Sequence, residues 1–306
     1  MMKKLLGMVA VAALLAACAD EVEETNDVVD PGTGQPIGAA SLIDGDINAA
    51  TFNGATETMI VSITLDADVE NQVYTRAVIY DVNGYQAYTT QDDPLDRMFT
   101  AFGGVSADGV TTAVVAMDGG QFTEYSGGAV YNATSYSAPS AGLSSYAGKY
   151  VGLTNVGTRD GTLDSAADSA LLPERAARTQ GDVFINADFT DNQLNGAIYN
   201  REVLDGSPLN VGDGTVYLTP TGIAADGSFT GNVEQNIDGD LKPVGEFTGT
   251  FGGANASGLA GGIYITDFDP DLDNEEERGI FVLNQCGTAG ESADCGTFNV
   301  DDLNSN

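Results

Sequence analysis

Apolar and polar positions alternate with a period of two along most of this chain, which is the pattern of half-buried strands. Met59-Ile60-Val61-Ser62-Ile63-Thr64-Leu65 reads as one strand. Val73 to Val82 reads as another, and Asn83-Gly84 supplies a two-residue hairpin turn before Tyr85 to Thr89. Met98 to Val105, Val110 to Met117 and Phe122 to Tyr131 follow, parted by Asp108-Gly109 and Asp118-Gly119-Gly120. Together they predict an antiparallel β-meander domain over residues 41–137. Ser137-Ala138-Pro139-Ser140-Ala141-Gly142 reads as a short linker. Eight more strands are expected at Ser145 to Val156, Asp182 to Phe189, Leu194 to Asn200, Gly214 to Thr219, Ser228 to Val233, Gly245 to Phe251, Leu259 to Ile265 and Gly279 to Leu283. Eight strands with regular turn signals predict an up-and-down β-barrel over residues 143–300, a closed form without exposed edges. The fold class is all-β. One stretch breaks the pattern: Leu163 to Leu172, Ala/Leu-rich and ended by Pro173, reads as a helix or as an unstructured loop in the connection after the first barrel strand.

An aromatic-x-Gly spacing recurs, as in Phe52-Asn53-Gly54, Tyr125-Ser126-Gly127, Tyr146-Ala147-Gly148, Tyr150-Val151-Gly152, Phe229-Thr230-Gly231, Phe247-Thr248-Gly249 and Phe251-Gly252-Gly253. Residues i and i+2 share one face of a strand, so each glycine leaves a hole that a neighbouring ring can cover while the strand bends. We read the motif as a device for a tightly curved barrel. A platform of aromatics for sugars is the other use of such rings.

The first residues break the alternation. Lys3 and Lys4 precede an uncharged apolar run, Leu5 to Ala17, that is too short to span a bilayer. It ends Leu15-Ala16-Ala17-Cys18, which looks like a bacterial lipobox, so residues 1–17 read as a lipoprotein signal peptide and Cys18 as the lipidated residue. An ordinary signal peptide cut after an A-x-A-like site is the plainer alternative. Ala19 follows the cysteine in place of Asp, which by resemblance to enterobacterial sorting favours the outer membrane. Residues 18–40 then read as a disordered acidic tether reaching roughly 25 Å, and residues 301–306 as a disordered tail.

Composition narrows the function. The 306 residues hold 45 Asp+Glu against 11 Lys+Arg, a formal charge of −34, and cutting off Lys3 and Lys4 makes it more negative still. Phosphates would be repelled, so no nucleic acid is expected as a partner, and contact with a membrane is expected through the N-terminal lipid only. There is no His, which excludes Ser-His-Asp and Cys-His catalysis and His-ligated zinc. No G-x-S-x-G, P-loop or dinucleotide fingerprint occurs, and among so many acids a carboxylate pair for glycoside hydrolysis carries no information. We therefore expect no enzyme.

Three groups of residues carry candidate chemistry. Cys286 and Cys295 stand nine positions apart around the turn-like GTAGESAD. In an oxidising compartment they read as a disulfide, contributing about 2.5–3 kcal/mol in the chain-entropy model, with a redox or metal role as the alternative. Asp267, Asp269, Asp271 and Asp273 alternate in an acidic run that resembles a calcium loop. The run fails the EF-hand pattern, since Leu272 stands where Gly is needed and Arg278 where the bidentate Glu belongs, so a solvated hairpin tip is the alternative. No other cofactor is expected. Arg159, Arg175, Arg178 and Arg201 are four of nine bases left after the signal peptide and could gather at one barrel rim to hold an anionic ligand; otherwise they neutralise neighbouring acids.

The second half resembles the barrel domain of transferrin-binding protein B and related surface lipoproteins, including the factor H-binding type. The resemblance rests on Ala187-Asp188-Phe189-Thr190-Asp191-Asn192-Gln193-Leu194-Asn195-Gly196, on Gly227-Ser228-Phe229-Thr230-Gly231, on the hairpin from Val244 to Gly261 with its G-x-F-x-G-x-F-G spacing, and on Arg278-Gly279-Ile280-Phe281-Val282. It covers about residues 145–285 and does not extend to the first half. It implies an eight-stranded barrel outside the outer membrane, a dedicated outer-membrane translocon as a partner in export, and host proteins or metal carriers as ligands. The family's contacts lie in variable loops, so no contact residue carries over.

The expectation is an outer-membrane lipoprotein, displayed on the cell surface, that binds an unknown protein or solute without catalysis through barrel loops. A periplasm-facing orientation is the alternative to display. A structural or adhesive envelope protein without a defined ligand, and a secreted hydrolase using carboxylates or Ser/Lys, are the alternatives of function.

Overall fold

The computed structural model describes residues 45–65, 68–93, 96–120, 125–156, 175–205, 214–272 and 274–296. Fifteen strands run β1 Ile47–Asn53, β2 Thr58–Leu65, β3 Asp68–Arg76, β4 Gln86–Thr90, β5 Phe99–Val105, β6 Thr111–Asp118, β7 Gly127–Ala133, β8 Leu143–Thr154, β9 Ala177–Asp188, β10 Gln193–Val203, β11 Val216–Gly222, β12 Ser228–Ile237, β13 Asp240–Gly252, β14 Gly258–Thr266 and β15 Glu276–Gln285. Among the described residues, no helix is long and apolar enough to cross a membrane.

The first seven strands form one antiparallel sheet in chain order. It curls until its two ends approach: the Asp46 N–H donates to Gly127 O at 2.8 Å, and a side chain on Gly128 would meet Ile47. The concave face buries Phe52, Met59, Val61, Ile63, Tyr74, Tyr88 and Phe99. Two details differ from the sequence reading. Ile47–Asn53 is a strand that alternation alone left unmarked, because Asn48 and Ala49 dilute it. The expected strand from Val73 to Val82 ends at Arg76, and Val78–Tyr80 is a 3₁₀ turn. Arg76 causes this break: its guanidinium clasps Asp81 at 2.6 and 2.7 Å, and Asp81 also accepts the Ala87 N–H. The Asn83-Gly84 turn is present, with φ of 53° and 87°, the left-handed pair that a two-residue hairpin needs.

All eight barrel strands appear, each antiparallel to its neighbour, and β8 closes the barrel by pairing with both β9 and β15. Its interior is filled by side chains, among them Tyr146, Tyr150, Phe229, Phe247, Phe251 and Phe281. Phe251 is the hub, with the rings of Phe189, Tyr146 and Phe229 at 5.2, 5.3 and 5.4 Å.

The aromatic-x-Gly motif explains how such rings fit inside eight strands. Phe229 lies opposite Gly249, and Gly231 opposite Phe247. A Cβ on Gly249 would stand 2.3 Å from the Phe229 ring, and one on Gly231 would stand 2.5 Å from the Phe247 ring. Each hairpin strand thus lays its ring on the other's glycine. Tyr150 lies on Gly279 in the same way, and Phe281 on Gly261. The sugar-platform alternative loses these rings, since all four are buried.

A third apolar layer joins the two sheets. The convex face of β4–β7, with Tyr85, Phe102, Ala113, Val115 and Tyr131, packs on the outer wall of the barrel at Val151, Leu153, Ala260 and Ile280. Tyr85 bolts this layer: its hydroxyl donates to Lys149 O and accepts the Val282 N–H, both at 2.9 Å, and its ring covers Gly104. Burial pushes the Tyr85 phenol pKa up, which keeps it a neutral donor. Tyr131 and Thr248 share a hydrogen bond of 2.6 Å, and Asn284 accepts the Ala107 N–H. The connection that reads as a linker is itself fastened, with Ser137 N–H donating to Gly253 O at 3.0 Å.

Three expectations follow. Gly249→Ala should lower unfolding free energy by about 1–3 kcal/mol, because ring and backbone both block the new methyl. Gly222→Ala, with only Asn192 O at 3.9 Å, should stay within about 0.5 kcal/mol. Tyr85→Phe should cost about 1–3 kcal/mol by orphaning the Val282 N–H, and both sheets should still unfold in one transition. Urea titration followed by fluorescence and by far-UV circular dichroism reads all three variants.

Candidate functional site

Strand order decides where the barrel's longer connections go. The β8–β9, β10–β11 and β14–β15 connections all leave the same end. At the opposite end the chain turns within Phe189–Asn192, Ile223–Gly227 and Gly253–Ser257. The 3₁₀ turn Val78–Tyr80 of the first sheet stands beside the long-connection end, where Tyr80 O accepts from Arg178 Nη1 at 3.1 Å.

Just inside this end the apolar interior gives way to a polar layer. Glu277 is fully buried and accepts at one oxygen from Tyr150 at 2.7 Å and Thr179 at 2.8 Å. Its other oxygen faces Arg201 Nε at 3.3 Å. Room for this comes from Gly152 and Gly279, where any Cβ would strike the Tyr150 hydroxyl. Burial, and then the charge of Glu277, hold the Tyr150 phenol far above its ordinary pKa, so it stays a proton donor to the carboxylate.

The β14–β15 connection plugs the opening. Phe268 is buried under the Arg201 guanidinium, 5.1 Å from ring to Cζ, and its carbonyl accepts from Gln235 Nε2 at 2.9 Å. Buried Glu275 accepts the Asp269 N–H at 2.8 Å. The three Arg201 nitrogens, Glu277 Oε2, Glu275 Oε2 and Gln235 Oε1 have no hydrogen-bond partner among the described residues.

The residues singled out in the sequence fall into this frame as follows. Cys18, the signal peptide and tether, Arg159, Asp273, the segment Leu163 to Leu172 and the tail lie outside the described residues. Arg175 and Arg178 do come together at the long-connection end. Both reach Asp205, at 3.3 and 2.7 Å, and both lie over the Tyr80 ring, at 4.3 and 5.1 Å. Burial alone would raise the Asp205 pKa, but hydrogen bonds from the Arg178 side chain and backbone and the nearby charges hold it below the ordinary carboxylate value. Arg201 does not join them on the surface; it points into the barrel. Asp267 and Asp271 are exposed, while Asp269 is buried and caps the Asp271 N–H at 2.9 Å. Among the described residues no three His, Cys, Asp or Glu side chains stand where they could hold one metal ion. Cys286 and Cys295 are bonded, and the loop they close brings Asp294 to Lys149 at 3.0 Å.

Glu277, Gln235 and Phe268 escaped the sequence reading. A signal for the first was available: Gly279, Phe281 and Leu283 set the inward phase of β15, and Glu277 is in that phase. The plug had none, because Phe268 sits in an acidic run that reads as solvated. The described interior of the barrel is lined by packed aromatic and aliphatic side chains. A shallow hollow of about 270 Å³ at the other end, between Leu143, Asp188, Leu194 and Pro220, opens to solvent.

No protein-family model matches the chain, and no curated protein matches it. Solved structures do. The chain is similar to intact Ap-TbpB (N and C lobes) at 12% identity and a TM-score of 0.39, over 78% of this chain and 46% of that one. It is similar to transferrin binding protein B of Haemophilus parasuis at 13% identity and a TM-score of 0.39, over 77% and 52%. A protein described as a surface lipoprotein matches at 13% identity and a TM-score of 0.36, over 79% and 97%. The chain spans about half the length of the first two.

The polar layer makes a prediction about pairing. Glu277→Gln or Arg201→Met alone should lower unfolding free energy by about 3–5 kcal/mol, each leaving a buried charge without its counter-charge. The double variant Arg201→Met with Glu277→Leu should cost less than either single change. Chemical denaturation of the three variants checks this, and a double variant as unstable as the sum of the singles would refute the pairing.

Proposed function

We propose that this chain is a lipid-anchored outer-membrane protein, displayed on the cell surface, that binds a macromolecular or solute ligand without catalysis. The contact surface is the long-connection end of the barrel. One observation carries this reading: the interior is filled with side chains, while the long connections are gathered at one end with the turn Val78–Tyr80 beside them. Ligand binding then falls to the outside of the barrel, at loops free to vary over a rigid frame.

Polarity supports the placement outside a bilayer. Barrels that span membranes are apolar outside. Here the outward positions of β12, Thr230, Asn232 and Glu234, are polar, and Phe229, Val233 and Ile237 face inward. The lipobox at Leu15-Ala16-Ala17-Cys18 supports an anchor at the other end of the chain. The lack of His and of nucleotide or nucleophile motifs supports binding over chemistry. Export by an outer-membrane translocon belongs to the same proposal.

Cys18→Ser should abolish incorporation of labelled palmitate and release the protein from the membrane fraction. Protease added to intact cells should remove the wild-type protein; survival until lysis would refute display. The soluble Cys18→Ser chain should capture a ligand from the surrounding medium. Replacing residues 206–213 with a Gly/Ser connection should weaken that capture without changing the melting temperature, and unchanged capture would refute this end as the contact.

A further inference from the structure

The curled first sheet leaves one stretch of open edge. β3 runs from Asp68 to Arg76, yet β4 pairs with it only at Thr75 and Arg76. On its other side β3 pairs with β2 throughout, from Leu65 opposite Asp68 to Met59 opposite Tyr74. Ladder groups alternate along a strand. The Ala77 N–H donates to Ala87 O in the β4 direction, so the odd-numbered residues turn their backbone groups to that side. Val69, Asn71 and Val73 therefore present amide and carbonyl groups along an edge with no strand against it among the described residues.

The side chains at the same place are apolar and uncovered. Val69 is 57% exposed and Val73 70%, with half-exposed Ile60 directly opposite Val73. The chain then turns through Val78 and Ile79, the latter 84% exposed. Of the eleven exposed large apolar side chains among the described residues, these make five. Proteins normally cover or break up a free edge with this character.

Charge selects the occupant. Asp68 and Glu70 flank the edge, and Glu57 is close by on the preceding turn. The one base here, Arg76, is held by Asp81 and Glu57 at 2.6 and 3.4 Å. A second copy laid antiparallel on β3 would set these acids against themselves, across two chains of −34 each. The chain's own residues 19–30 carry Asp20, Glu21, Glu23, Glu24, Asp27 and Asp30, and are repelled in the same way. An extended segment with Lys or Arg alternating with apolar residues satisfies the edge, the acids and the valines together.

We propose that β3 receives a basic, extended segment of a partner protein as an added strand, with its apolar side chains beside Val69 and Val73. This rests on the reading of the chain as a binding protein and deepens it by naming the chemistry of a partner.

The test uses the soluble Cys18→Ser chain and two short blocked peptides, one alternating lysine with valine and one alternating glutamate with valine. Asn71→Pro removes an outward amide that no internal ladder uses, so the fold should survive it. The lysine peptide should bind, the glutamate peptide should not, and Asn71→Pro should weaken binding by about tenfold or more at constant melting temperature. Hydrogen exchange should show new protection at Val69, Asn71 and Val73 on binding. Binding that Asn71→Pro leaves unchanged is plain charge attraction and overturns the proposal. So does an absence of new protection at β3, or self-association of the peptide-free chain that Asn71→Pro abolishes. If Asn71→Pro fails to fold, Val73→Asn, which removes the exposed apolar contact without changing the charge, replaces it with the same expectations. Unchanged ligand capture on replacing 206–213, with peptide binding intact, overturns the reading of the long-connection end and leaves this one standing.

Discussion

The barrel exists because aromatic rings lie on glycines. Eight strands close a narrow cylinder whose interior must be filled by side chains. Large rings fill it efficiently, but at several positions a Cβ on the facing residue would collide with the ring. The reciprocal pairs Phe229–Gly249 and Phe247–Gly231 resolve the conflict, and Tyr150 on Gly279 repeats the solution near the seam that closes the barrel. The glycines also let the strands bend. Curvature, filling and closure thus come from one spacing, and the hub at Phe251 follows from it.

The same device extends to the second sheet. Tyr85 on Gly104 and Phe52 on Gly103 repeat it there. Because β4–β7 bury both faces, one on the concave core and one on the barrel wall, the two parts share a layer instead of a hinge. Rigidity is bought on that side at the expense of the other, where β2 and β3 reach past their neighbour with an open edge and exposed valines.

Charge is distributed by the same logic. Arg76, Arg97, Lys149, Arg175, Arg178, Arg201 and Arg278 are each in an ion pair with an acid of this chain. The bases hold the fold together and the surplus acids remain for the surface. A surface with one sign of charge in excess resists association with surfaces of like charge. Of the arginines that look like a ligand rim in the sequence, Arg175 and Arg178 pair with Asp205 beside Tyr80, and Arg201 turns inward to Glu277.

The sequence by itself determined fold class, strand count in the barrel, the Asn83-Gly84 hairpin and the disulfide, because each depends on contacts between near neighbours or on one face of a strand. It placed Met59–Leu65 and all the barrel strands but missed Ile47–Asn53, whose inward residues are diluted by small ones. It ran β3 on to Val82, since nothing local shows that Arg76 will turn back on Asp81. Tertiary structure alone decided the rest. Which ring meets which glycine depends on register across strands. Phe268 becomes a plug because the barrel end behind it holds Arg201 and Gln235. Glu277 is buried because Tyr150, Thr179 and Arg201 arrive from three other strands. Such contacts join residues far apart in the chain, and no pattern within one strand records its partner.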